Sequence, residues 1–247
     1  RTHHAIPASR AAPQGGTLLL MPAWAPEGPI GVKIVSVFAD NARRGLPSVT
    51  GIYLLLDGGT GMPVAIMDGP RLTVRRTAAA SALAARFLAR DDASHLVMVG
   101  TGALAPHLIR AHAAVRPIRR VSLWGRSFEK STALASELTQ PGLSVTAVPD
   151  LAAAVAQADI VSCATPARLP LIHGGSLQPG CHPDLVGGLT PEMREADDTA
   201  VTRARLFVDT RAGAMGEAGD LVDPLRRGVI AASRIEADLH ELTPGRH

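Results

Sequence analysis

Apolar and polar positions follow two different rhythms along this chain. Four β-type runs, Thr17–Pro22, Gly31–Phe38, Ser48–Leu56 and Met62–Met67, are separated by turn-rich segments, and Asp57-Gly-Gly-Thr-Gly61 has the composition of a hairpin loop. A mostly antiparallel sheet is predicted. From about Thr73 the spacing turns helical, with Ala80, Leu83, Ala84, Phe87 and Leu88 on one face until Asp91-Asp92 ends the pattern.

Beyond residue 92 short apolar runs alternate with helical segments. His95–Val99, Arg120–Trp124, Ser144–Val148, Asp159–Cys163 and Arg205–Asp209 read as strands, Ser127–Thr139 and Asp150–Gln157 as helices. Strands separated by helices imply parallel pairing through right-handed crossovers, hence a Rossmann-type doubly wound α/β sheet. The first strand runs into Gly100-Thr-Gly102-Ala-Leu-Ala105 and then a helix. Gly100 permits a tight turn, Gly102 leaves no side chain between the backbone and a pyrophosphate, and the small Ala105 lets helix and strand pack closely. The positive end of the new helix would face the phosphates. A dinucleotide is the expected cofactor.

The end of the second strand bears on which one. An NAD site places an acid roughly 20 residues past the glycines, on the ribose 2′-hydroxyl. This strand ends Trp124-Gly125-Arg126-Ser127, with Lys130 one turn into the helix and no acid before Glu129. A forked, permanent cation beside a hydroxyl suits a 2′-phosphate, so NADP is expected ahead of NAD.

Two residues of the first half stand out. Lys33 interrupts the run Gly31–Val37 on the face of Val35 and Val37, which makes it either a site residue with a tuned charge or the guard of an edge strand. Arg76 falls in the first turn of the helix expected from Thr73, where amides attract anions and a guanidinium adds a two-pronged grip on a carboxylate.

Composition narrows the classes. The 247 residues, 46% hydrophobic and 19% charged, can bury a sizeable core in one large or two modest domains. The net charge of +3 comes from scattered arginines, with two Trp, one Tyr and four Phe in all, which argues against nucleic-acid binding. The pattern holds no apolar run of membrane length and no signal-peptide pattern, so a cytoplasmic protein is expected. Two cysteines, Cys163 and Cys181, give no disulfide framework and are assigned no chemistry. No metal site is expected.

These residues resemble the ornithine cyclodeaminase/mu-crystallin family. The resemblance rests on residues 31–51 (GVKIVSVFADNARRGLPSVTG), Arg76-Thr77-Ala-Ala-Ala-Ser81, VGTGALA (99–105), WGRS (124–127), HPDLVGGLTPEMREADD (182–198) and FVDTRAGAMGEAGDL (207–221), in order along nearly the whole chain. It implies a homodimer in which a smaller, mainly antiparallel α+β domain builds the dimer interface and much of the substrate site. The domains are placed at 1–91, with 221–247 packing back on it, and at 92–220 for the dinucleotide. By this resemblance Lys33 and Arg76 are catalytic residues, Arg76 gripping a substrate α-carboxylate. Arg1, Ser48 and Gly187 join the substrate set; Thr77, Gly100, Gly102, Ala103, Leu104, Arg126, Ser127, Lys130, Thr165 and Val186 form the cofactor set. Asp184, Glu217 and Asp220 are possible acid partners.

The chain departs from the family in three respects. Leu104 stands where the family often has Gln, and Leu189 where cyclodeaminases have an Asp that acts on the substrate amine. Family members also extend further at both ends, so this chain is expected to be trimmed. The expectation is an NADP-dependent oxidoreductase that reduces a small cyclic or linear ketimine, a 2-imino acid, to an amino acid. The alternatives are an ornithine cyclodeaminase recycling NAD, disfavoured by Leu189, and a crystallin-like protein that binds NADP and a small ligand without turnover.

Overall fold

Five antiparallel strands open the chain: Thr2–Ile6 (β1), Gly16–Trp24 (β2), Ile30–Val37 (β3), Val49–Leu56 (β4) and Pro63–Asp68 (β5), paired in the order β1-β2-β3-β4-β5. The computed structural model describes residues 2–243, apart from the Ala42 side chain. The hairpin loop behaves as its composition predicts. Asp57 Oδ1 accepts hydrogen bonds from the Gly59 and Thr60 amides and the Thr60 hydroxyl, which fixes the turn between β4 and β5. β1 escaped the sequence reading because Thr-His-His-Ala-Ile has no apolar alternation, and all five of its residues are exposed.

Helix α1, Gly69–Leu88, begins a full turn earlier than the pattern predicts. Asp68 Oδ1 accepts the Arg71 amide at 2.9 Å and Pro70 occupies the first turn, so the helix starts straight off β5. Arg76 is therefore two turns inside α1, and the free N-terminal amides invoked for it are not beside it.

The second sheet is parallel throughout, in the order β10-β9-β6-β7-β8. Its elements are His95–Val99 (β6), Ala105–Val115 (α2), Arg120–Trp124 (β7), Phe128–Leu138 (α3), Ser144–Ala147 (β8), Leu151–Val155 (α4), Ile160–Cys163 (β9) and His182–Leu185 (β10). Every residue of β6 is buried. Leu96 and Met98 join a core with α1, α2 and α3, and Val97 and Val99 join another with α4 and the Ile172–Ala200 region. Such continuous apolar runs are what a strand covered on both faces requires. β10 escaped the sequence reading because His-Pro-Asp-Leu looks like a loop, yet Pro183 is tolerable on the edge strand of a sheet.

Asp198–Arg203 (α5), Leu206–Val208 (β11), Arg211–Glu217 (α6), Gly219–Arg226 (α7), Ile235–Asp238 (β12) and Leu239–Leu242 (α8) complete the described chain. Arg205–Asp209 does contain a strand, but β11 pairs with β12 in a separate two-stranded sheet instead of extending the large one. Leu206, Val208, Leu221, Ile230 and Ile235 share their own core.

The chain divides into two compact units, residues 1–76 and 77–247. Ala78, Ala85 and Ala89 of α1 belong to the core of β6 and α2, and Leu221 and Ile235 to that of β11.

Candidate functional site

In an open parallel sheet, ligands bind beyond the carboxyl ends of the strands where the order reverses. Here that point lies between β6 and β9, since β7 and β8 extend the sheet to one side of β6 and β9 and β10 to the other. The glycine turn leaves β6 at this point. Gly100 has φ +114°, and a Cβ on it would come within 2.7 Å of the Ala164 carbonyl oxygen, so only glycine lets the turn pass the end of β9. A Cβ on Gly102 would meet nothing within 4 Å, so the space over the start of α2 is open. Leu104 is the N-cap of α2 and makes no side-chain cap; in the first turn the Ala105 and His107 amides donate to the Gly102 and Leu104 carbonyls and Pro106 has no amide, so the turn at residues 101–104 is the stretch that presents backbone to a ligand. These features fit the pyrophosphate of a dinucleotide.

The neighbouring strand end is also in place. The Gly100 amide donates to the Trp124 carbonyl at 2.8 Å, and a Cβ on Gly125 would touch the Thr101 side chain, so the close of β7 lies against the turn. Arg126 and Lys130 are exposed there. Ser127 is the N-cap of α3, its hydroxyl accepting the Lys130 amide at 3.3 Å, which still leaves the O–H free to donate.

The largest addition to the predicted set is Glu195. Its side chain is completely buried, 0% exposed. One carboxylate oxygen accepts from the Thr165 amide at 2.6 Å and the Thr165 hydroxyl at 2.8 Å, and the other from the Gly187 amide at 2.7 Å. Thr165 and Gly187 are thus drawn together just past β9 and β10, and the neighbouring Val186 amide donates to the Cys163 carbonyl at 2.8 Å. A side chain at 187 would run into the Thr165 carbonyl and the Glu195 carboxylate, which is why that position is glycine. Burial pushes the Glu195 carboxyl up to about 6, against the opposing hydrogen bonds from Cys163, Gly187 and Thr165. Asp220, also buried, accepts the amides of Glu195 and Ala196 at 2.8 Å each, and burial raises its carboxyl too. In the sequence, Glu195 sits in Met-Arg-Glu-Ala-Asp-Asp, which has the look of a solvated acidic stretch.

The other candidate acids divide. Asp184 accepts from Ser162 at 2.7 Å and faces His112 at 3.1 Å inside the unit, so it holds β10 to β9 and α2. Glu217 is exposed at the end of α6. Leu189 is 69% exposed and apolar, with no acid–base capacity. Cys163 is fully buried and its thiol is pushed up by burial, in keeping with a core role.

In the first unit, β3 is the central strand of five, so Lys33 guards no edge. It pairs with Met21 on β2 and with Tyr53 on β4, residues that share its face, and the Tyr53 ring leans over Gly31, which has no side chain to obstruct it. Ser48 lies beside Phe38, whose amide donates to its carbonyl, five positions along β3 from Lys33 or about 17 Å of strand. The backbone therefore does not bring these two together. Arg76 is exposed on α1, next to Thr77, which is partly buried. Arg1 lies outside the described residues.

An antiparallel α+β unit followed by a doubly wound parallel sheet with its glycine turn at the reversal defines a two-part α/β protein of the dinucleotide-binding class. The chain belongs to the ornithine cyclodeaminase/mu-crystallin family, whose model matches residues 4–246. It is 43% identical over 252 residues to the Delta(1)-pyrroline-2-carboxylate reductase of Paracoccus denitrificans, covering 99% of this chain and 80% of that protein. The structure of the Thermococcus litoralis Delta(1)-pyrroline-2-carboxylate reductase in complex with NADH and L-proline superposes with a TM-score of 0.90 at 32% identity, over 100% of this chain and 76% of that one. An archaeal alanine dehydrogenase dimer with bound NAD gives 0.88 at 27% identity, over 99% and 76%. Among the described residues no group of three or more His, Cys, Asp or Glu could hold a metal ion, and no helix is long and apolar enough to cross a membrane.

Proposed function

We propose that this protein is a nicotinamide-dependent reductase that converts a small ketimine, a 2-imino acid of the pyrroline-2-carboxylate type, into the amino acid, with NADP preferred over NAD. The observation that carries this reading is the glycine turn at the sheet's reversal point in a chain 43% identical, along 99% of its length, to a protein named for that reduction. When bound, the nicotinamide supplies hydride to the C=N carbon.

The chain's own residues bind and orient. Gly100, Gly102, Ala103 and Leu104 present backbone to the pyrophosphate, with Thr77, Thr165 and Val186 completing the cofactor set. Arg126, helped by Ser127 and Lys130, takes the 2′-phosphate as a forked cation. Arg76 grips the substrate carboxylate with its two-pronged fork, with Gly187 and Arg1 as further contacts, and Lys33 orients the imine and holds or relays its proton.

The first unit serves substrate and dimerisation, and a second copy of this chain covers its open sheet face. Ile52 and Ile66, 42% and 71% exposed, share that face with the partly buried Ile34 and Leu54, an apolar surface suited to self-pairing about a twofold axis. The archaeal neighbour described as a dimer supports this reading. The site of action proposed is the cytoplasm.

Steady-state assays with Δ1-pyrroline-2-carboxylate and either NADPH or NADH test the function, with ornithine as control. Imine-dependent oxidation favouring NADPH is expected, with no ammonia from ornithine, because Leu189 offers no carboxylate. Robust ammonia and proline formation would overturn the reading in favour of a cyclodeaminase. Arg76→Lys is expected to raise KM for the imine far more than Kd for NADPH, since it keeps the charge and loses the fork. Lys33→Met is expected to lower kcat in a folded protein, and full turnover in that variant removes Lys33 from the mechanism.

A further inference from the structure

The nucleotide cleft just assigned is bordered by two chain segments, after β9 and after β10, that run on from paired strands, the Val186 amide donating to the Cys163 carbonyl at 2.8 Å. One side chain bonds to both. Glu195 lies eight residues past Gly187 on the same connection between β10 and α5, is fully buried, and accepts with one oxygen from the amide and hydroxyl of Thr165 and with the other from the amide of Gly187. Its own backbone is pinned in turn by Asp220 of α7, through the amides of residues 195 and 196.

We propose that Glu195 is a positioning residue, a buried carboxylate that holds Thr165 and Gly187 in fixed register so that the ends of β9 and β10 present their backbone to the nucleotide. This rests on the functional reading above. The reason a carboxylate is needed is chemical: three donors converge, and an ionised carboxylate is the side chain that offers acceptors alone. A glutamine would turn an NH2 group toward a donor, and an aspartate is one methylene short.

The surroundings leave this carboxylate without a cation. The Cys163 thiol of β9 faces it, Asp220 of α7 lies behind its amide, and the neighbouring Arg194 is engaged with Asp198 and Asp223, so among the described residues Glu195 forms no salt bridge. Burial without a counter-charge raises its carboxyl to about 6. Mild acid therefore removes one acceptor and loosens the clamp, a pH dependence that belongs to the protein and not to the substrate.

The test uses the full chain with NADH as the probe, because the 2′-phosphate of NADPH titrates in the same range. Glu195→Gln is expected to raise Kd for NADH at pH 8 by roughly 10-fold or more, the value of lost charge-assisted bonds, and to abolish the weakening that the wild type shows as pH falls from 7 to 5. In the wild type without cofactor, the Thr165 and Gly187 amide resonances are expected to titrate together with a midpoint near that of Glu195. A folded Glu195→Gln protein with Kd within about twofold of wild type, or amides that do not move between pH 5 and 8, overturns the proposal. Should the variant fail to fold, the wild-type amide titration decides alone. A wild type that binds neither NADH nor NADPH at any pH refutes the nucleotide reading, and the amide titration still judges the clamp.

Discussion

β5 and β6 are both apolar in sequence, and the fold treats them in opposite ways. Leu96, Val97, Met98 and Val99 of β6 are all fully buried, alternate residues feeding two separate cores, whereas Val64 and Ile66 of β5 are 61% and 71% exposed. The difference is topological. Parallel strands need crossover helices, which cover both faces, while an antiparallel meander turns back through short loops and brings no cover with it. The first sheet thus keeps an apolar face that its own strands do not cover, and that face is where the proposed homodimer is expected to pair.

The sharpest way to break the comparison is to truncate both strands alike. Leu96→Ala in β6 is expected to cost about 2–5 kcal/mol in urea unfolding, the usual sum of lost transfer energy and residual cavity, whereas Ile66→Ala is expected to leave the unfolding of an isolated protomer within about 0.5 kcal/mol. Equal losses at the two sites would mean that β5 is buried within its own protomer. Next in size is a contrast within the second unit. Arg126→Ala removes an exposed contact and is expected to weaken NADPH binding by about 1.5–3 kcal/mol, roughly 10- to 150-fold, with little change for NADH or for stability. Tighter binding of NADH than of NADPH by the unaltered protein would reverse the cofactor preference.

Glu195 gives a pH signature of comparable or smaller size. Its carboxyl stands at about 6 in the native state against an ordinary value of 4.5, so the native protein holds this proton more firmly than the unfolded chain does. The stabilising contribution is complete below the ordinary value and is lost as pH rises through the window up to about 6, a loss on the order of 2 kcal/mol. Subtracting the pH–stability curve of Glu195→Gln from that of the wild type isolates it, and a flat difference would deny the shift. The smallest expected effect concerns the open face: Ile52→Lys should leave protomer stability almost unchanged while lowering the mass measured by light scattering from dimer to monomer.

Much of the fold was legible because its signals are local. The strand, glycine turn and helix from His95 to Val115, the hairpin loop at Asp57 and the antiparallel runs from Thr17 to Met67 each depend on neighbours within a few residues. The start of α1 was read a turn late because its cap, Asp68, belongs to the end of a strand, and this moved Arg76 away from the helix terminus. The run at Arg205–Asp209 predicts a strand but not its sheet, since β11 has only three residues and so short a run carries no information about its partner.

The sequence by itself determined the class of site: a strand running through Gly100-x-Gly102-x-x-Ala105 into a helix, and a basic strand end at Arg126, are local patterns of the residues where they stand. Only the tertiary structure decided what surrounds them. Whether Lys33 lies on an edge or a central strand depends on which strands flank β3, and the need for glycine at 187 depends on a carboxylate eight residues away. Glu195 reads as solvated in its own segment because nothing local buries it. Burial is imposed by β9, β10 and α7 converging on one point, and no periodicity in the chain records that convergence.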